Sequence, residues 1–190
     1  LQHQISVVFI CLLLLSIFTI TLINGLFLEK YYVSKKVEVL EEAKEVLSQM
    51  NLDDILQYDT DIEEDKKGAT DEISDEIERS SSRNNLTWII VNEENSGYYY
   101  WGENNMAKML RSKLFGYINN LDQDMQHSRV LKKTDTCTMW QVHDRFAGME
   151  YVECWGQLDN GYYFLIRSPL ESIKESASIS NSFYFIVGII

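Results

Sequence analysis

The stretch CTMWQVHDRFAGMEYVECWGQLDNGYYFLIR, residues 137–167, decides the fold. It divides into CTMWQVHD (Cys137–Asp144), MEYVECWGQL (Met149–Leu158) and YYFLIR (Tyr162–Arg167). Turns containing glycine separate them at Arg145–Gly148 and Asp159–Gly161. Each piece is rich in β-branched and aromatic side chains, and each pair is joined by a connection short enough for a hairpin, so three antiparallel strands are expected. Alternation within the first places Trp140 and Val142 on one sheet face and Met139, Gln141 and His143 on the other.

Upstream, LTWIIVN (Leu86–Asn92), a turn at Asn95-Ser96-Gly97 and a strand at Tyr98–Trp101 predict a further hairpin, giving five strands in all. Between hairpin and meander, Met106, Leu110, Leu114, Tyr117, Leu121 and Met125 recur at helical spacing and predict one crossing helix. Val33, Val37, Leu40, Leu47 and Met50 predict another, long helix ahead of the hairpin. After the last strand, Ser168-Pro169-Leu170-Glu171 has the form of a helix start, with Ser168 as cap and Pro169 in the first position. The fold class is therefore α+β.

Residues 5–28 hold no ionisable side chain. As a helix they reach roughly 36 Å, more than a hydrocarbon core of about 30 Å, so residues 1–28 are expected to form a transmembrane helix that runs on into the long helix. Residues 183–190, FYFIVGII, read as the opening of a second transmembrane segment, and residues 29–182 as the one domain between them. With Leu1 at one end and an apolar run at the other, a piece of a longer protein is expected.

The net charge is -12, and residues 41–79 carry most of it, with 15 acidic side chains against 4 basic ones. Such a surface repels phosphate and excludes nucleic acid as an expected partner. Residues 51–85 read as an acidic, mobile segment in which Ile73 and Ile77 mark a short helix ended by Ser80-Ser81-Ser82. Within it Asp59, Asp61, Glu63 and Asp65 gather carboxylates that a hard cation would accept, against the plainer reading of a solvated loop, because an EF-hand would need glycine where Glu64 stands.

His3, His127 and His143 stand apart from one another in sequence, and neither His-Glu-x-x-His nor Gly-x-Ser-x-Gly occurs, so no catalytic residues are assigned and this chain is not expected to be an enzyme. Cys137 and Cys154 fall on neighbouring strands within disulfide reach, leaving a bridge and two free thiols as alternatives. Ser172, Ser176 and Ser180 repeat every four residues on the expected exit helix, a small-residue ridge suited to a parallel homodimer or to plain solvent exposure.

The order of elements, together with the closing run GYYFLIRSPLESI (Gly161–Ile173), resembles the PAS-like (PDC or single Cache) sensor domains of Gram-positive membrane histidine kinases. The resemblance implies an extracytoplasmic sensor in a multi-pass protein of the cell membrane. A kinase using ATP and Mg would lie in a cytoplasmic part that is not in this chain, with a cognate response regulator as its partner; no cofactor is implied for the chain itself. The same input architecture serves chemoreceptors and diguanylate cyclases, and a membrane-anchored extracellular interaction protein is the rival from another class. Ligands of such sensors bind on the sheet face beneath the crossing helix, which makes Trp140, Gln141, His143 and Arg167 the candidates for contact with an unknown external ligand.

Overall fold

A computed structural model describes residues 2–23, 27, 29–50, 52, 72–92, 98–102, 106–121 and 128–170. They fall into two compact units, one of residues 2–35 with Leu170 and one of Lys36–Pro169.

In the first unit, α1 (Gln2–Ile23) is a helix of 22 residues that holds no Asp, Glu, Lys or Arg. It is apolar all round: Ile5, Val7, Val8, Phe9 and Ile10 are 55 to 66% exposed although they point in successive directions. A helix of this kind has no polar face to offer water. Its hydroxyls turn back on the helix, Ser16 Oγ donating to Leu13 O at 3.1 Å and Thr19 Oγ1 to Leu15 O at 2.8 Å. Among the described residues no helix is long and apolar enough to cross a membrane. The expected passage from α1 into α2 crosses residues 24–26 and 28, and the second apolar segment, 183–190, also lies outside the described residues.

The second unit is built on one antiparallel sheet of six strands in the order β2-β1-β6-β5-β4-β3. The hairpin is β1 (Thr87–Val91) with β2 (Tyr98–Trp101), and the meander is β4 (Cys137–Asp144), β5 (Met149–Gln157) and β6 (Tyr163–Pro169). The α+β class and the antiparallel sheet are as expected, but the strand number is six rather than five. The sixth, β3 (Arg129–Lys133), pairs with β4 at the sheet edge through an irregular register. Its sequence RVLKK lacks an apolar alternation because one face and one edge meet solvent, and lysines guard such edges against further pairing.

One sheet face packs on α4 (Ala107–Ile118), whose Leu110, Leu114 and Tyr117 close on Ile89, Val91, Trp140, Val142, Tyr151 and Leu165. The other face bonds to α2 (Glu29–Gln49) and α3 (Glu72–Asn84). Trp88 Nε1 donates to Ser81 Oγ of α3 at 2.9 Å, and Lys36 Nζ of α2 donates to Ser168 Oγ of β6 at 2.7 Å and to Asn84 O at 3.0 Å. Leu40, Ala43 and Leu47 are the buried ridge of α2, in line with the sequence periodicity.

Three expected boundaries move. The serines at 80–82 do not end α3; the helix runs to Asn84, with Ser81 buried inside it. Its true stop is Asn85 at φ 53, followed by the Leu86 amide donating to Ser81 O at 2.9 Å. The crossing helix likewise ends at Ile118 instead of continuing to Met125. Asn120 at φ 55 and the bonds Asn120 N to Tyr117 O and Leu121 N to Gly116 O form a left-handed terminus, leaving Leu121 77% exposed. Asparagine tolerates this conformation better than other residues with a side chain, so the pairs Asn84-Asn85 and Asn119-Asn120 are the stop signals. Finally, Ser168 and Pro169 belong to β6, paired with Val152 and Tyr151, rather than to the cap and first turn of a helix. Ser168 Oγ is committed to Asn84 O and Lys36 Nζ, and proline suits the strand end, where one fewer ladder donor is needed.

Candidate functional site

Beneath α4 the sheet carries charge where its pattern calls for apolar groups. Asp144 follows Trp140 and Val142 on the inward side of β4, Glu153 lies between Tyr151 and Trp155 on β5, and Arg167 follows Leu165 on β6. The register sets Glu153 opposite both Trp140 and Arg167, so the three charges sit on three adjacent strands. Lys113 enters from α4, one position before Leu114 on the buried stripe. The relative exposures of Lys113, Asp144, Glu153 and Arg167 are 7, 1, 0 and 1%.

The four charges cancel, and each finds an opposite partner. Lys113 Nζ lies 3.2 Å from Asp144 Oδ2 and 3.0 Å from Glu153 Oε1, the latter an ion pair outside hydrogen-bond geometry. Arg167 Nη1 donates to the same Asp144 oxygen at 2.8 Å. Tyr117 donates to Glu153 Oε2 at 2.5 Å, and the Arg167 guanidinium stacks 4.2 Å above the Tyr151 ring. Asp144 Oδ1 accepts the Phe146 and Ala147 amides at 2.9 and 3.1 Å, which closes the β4–β5 turn. One carboxylate thus joins a helix, a turn and the last strand. Desolvating four ions is costly, and only this mutual pairing offsets it.

The electrostatics follow from the geometry. Burial pushes the Asp144 carboxyl up, but the Ala147 amide and the Lys113 and Arg167 charges outweigh it and hold the group below its ordinary value. For Lys113, burial pulls down while Glu153 and Asp144 push further up, leaving the ammonium more strongly protonated than usual. Burial raises the Tyr151 phenol.

Among the described residues, four buried side-chain atoms on this face have no hydrogen-bond partner: Arg167 Nε, Trp140 Nε1, Trp155 Nε1 and Glu153 Oε1. Tyr117 gathers the two indoles, with ring centroids at 4.8 Å from Trp140 and 5.7 Å from Trp155. Three of these atoms are N–H donors and Glu153 Oε1 is ion-paired with Lys113, so what this face offers chemically is binding of an acceptor, such as a carboxylate, carbonyl or hydroxyl oxygen, among aromatic rings.

Of the residues expected to contact a ligand, Trp140 and Arg167 share the α4 face. Gln141 and His143 do not: they lie on the opposite face, with Gln141 Nε2 donating to Glu150 Oε2 at 3.0 Å and His143 exposed. Strand alternation separates 140 from 141 and 143 regardless of loop conformation. Lys113, Tyr117, Asp144, Tyr151 and Glu153 were not among the expected residues, yet the same periodicities that locate the core place each of them on a buried face.

Cys137 and Cys154 are brought together, as free thiols rather than a disulfide. The register pairs Cys137 with Gly156 and Cys154 with Met139, one step out of line, so the sulfurs are diagonal neighbours. The carboxylates Asp59, Asp61, Glu63 and Asp65, and the serines 172, 176 and 180, lie outside the described residues. Among the described residues there is no group of three His, Cys, Asp or Glu side chains arranged to hold a metal ion. No family model matches this chain, and no curated protein or solved structure matches it either.

Proposed function

We propose that this chain is the membrane-anchored, extracytoplasmic sensing region of a bacterial signal-transduction receptor, and that the kinase it controls is a histidine kinase using ATP and Mg on the cytoplasmic side and passing phosphate to a response regulator. The observation that carries the reading is the buried bracket Lys113–Asp144–Arg167, which joins the crossing helix to the last strand two residues before that strand ends at Pro169. A PAS-like order of hairpin, crossing helix and meander, and a predominantly apolar α1, support the same reading.

In this reading a small molecule with acceptor oxygens enters beneath α4 and takes the open donors of Arg167, Trp140 and Trp155. Contact with Arg167 competes with Asp144, and because Asp144 also holds Lys113 and the β4–β5 turn, helix and strand shift together. A coupling of about 1–3 kcal/mol between ligand and output needs no larger device than this. The receptor acts as a parallel homodimer anchored in lipid.

Topology is the direct test. Phe146, 89% exposed at the tip of the β4–β5 turn, is replaced by cysteine and the full chain expressed in a bacterial membrane. A membrane-impermeant maleimide added to intact cells is expected to label F146C. Labelling only after lysis would put the unit on the wrong side of the bilayer for sensing and end this reading.

A further inference from the structure

On the sheet face opposite the charge network, three sulfur-bearing side chains share one side of the neighbouring strands β4 and β5. Met139 and Cys154 are directly paired across β4 and β5, and Cys137 is two residues from Met139 on the same side of β4. All three are buried, Cys137 at 6%, Met139 at 1% and Cys154 at 0% exposure. Cys137 Sγ meets Thr134 Oγ1 at 3.2 Å. Lys44, whose ammonium donates to Thr136 Oγ1 at 2.9 Å, stands by as a positive charge at the rim.

The offset register argues against a covalent bridge. Diagonal neighbours on a sheet have Cβ atoms somewhat under about 7–8 Å apart, whereas a disulfide needs about 3.5–4.5 Å. An ion between the sulfurs tolerates the wider gap, because two metal–thiolate bonds of about 2.3 Å, the zinc value, span more than twice an S–S bond. Two thiolates with one thioether form a donor set selective for a soft ion, although the Thr134 hydroxyl stands 3.2 Å from Cys137 Sγ. The long, flexible methionine side chain reaches a neighbour directly across the ladder.

We propose that Cys137, Cys154 and the Met139 thioether bind one soft monovalent metal ion of the copper group, Cu(I), between β4 and β5. Coordination forms two Cu–S thiolate bonds and a weaker thioether bond, releases the two thiol protons to solvent and changes no oxidation state. The single negative charge left on the complex faces Lys44. The site is independent of the proposed sensing role.

The test titrates the full chain in detergent, reduced and without oxygen, with Cu(I) supplied as its coloured bicinchoninate complex. Wild type and C11S are expected to remove one equivalent of copper per chain from the competitor, with X-ray absorption showing sulfur neighbours alone. C137S and C154S should each weaken binding at least tenfold while the circular dichroism of the sheet is unchanged, and M139L should weaken it less. Undiminished uptake by C137S and C154S, oxygen or nitrogen neighbours at the metal, or a fully folded wild type that leaves the competitor untouched would overturn the proposal. So would conversion of the pair to a disulfide by Cu(II), since that outcome requires sulfurs close enough for a covalent bond.

Discussion

Replacing Asp144 by Asn is expected to destabilise the Lys36–Pro169 unit by about 3–5 kcal/mol, the range for breaking a buried ion pair from one side. The Asn amide nitrogen would face Lys113 Nζ and the Arg167 guanidinium, and two cations would be left buried with Glu153 alone to balance them. Urea unfolding followed by circular dichroism measures the loss. The pH dependence supplies an independent check. The folded Asp144 carboxyl lies below its ordinary value of 3.8, so its contribution is present above that pH and is lost as pH falls through the lower, folded value. Wild type should lose stability over that acid range, and D144N should lack that part of the loss. A D144N penalty under 1 kcal/mol would mean that water reaches the site and that Asp144 does not couple α4 to β6.

Trp88→Ala is expected to cost about 3–5 kcal/mol, as for other fully buried aromatic truncations. Trp88 is completely buried, lies 5.2 Å from Tyr99 between ring centroids, and ties β1 to α3 through Ser81. Trp88→Phe separates volume from hydrogen bonding: most of the ring remains, but Ser81 Oγ loses its donor, a loss of about 1–3 kcal/mol. Equal penalties for W88A and W88F would show that the polar bond, and not the packed volume, holds α3 to the sheet. The comparison needs only urea midpoints and slopes for the two variants.

The elements themselves were legible because their signals are local. Alternation in CTMWQVHD and YVECW, glycine in the turns and helical spacing in α2 and α4 each depend on neighbours a few residues away, and β1, β2, β4 and β5 appear within a residue or so of where those patterns put them. Failures came where a signal of another kind took over. RVLKK carries edge-strand chemistry rather than an alternation, and the asparagine pairs stop helices by a backbone conformation that hydropathy does not register. In Ser168-Pro169 the cap-like pattern yields to a ladder with β5, to a bond from Lys36 and to one donated to the Asn84 carbonyl, partners 132 and 84 positions away.

From its residue order alone, this chain is an α+β protein with an antiparallel meander and an apolar N-terminal helix. Residue order leaves open which helix covers which face, and with it whether Arg167 meets Trp140 or His143. It equally leaves open whether Cys137 stands opposite Cys154 or one pair away. Those choices belong to tertiary structure: strand register and layer assignment are set by the summed packing of residues far apart in the chain, where a shift of one residue exchanges the two faces of a strand.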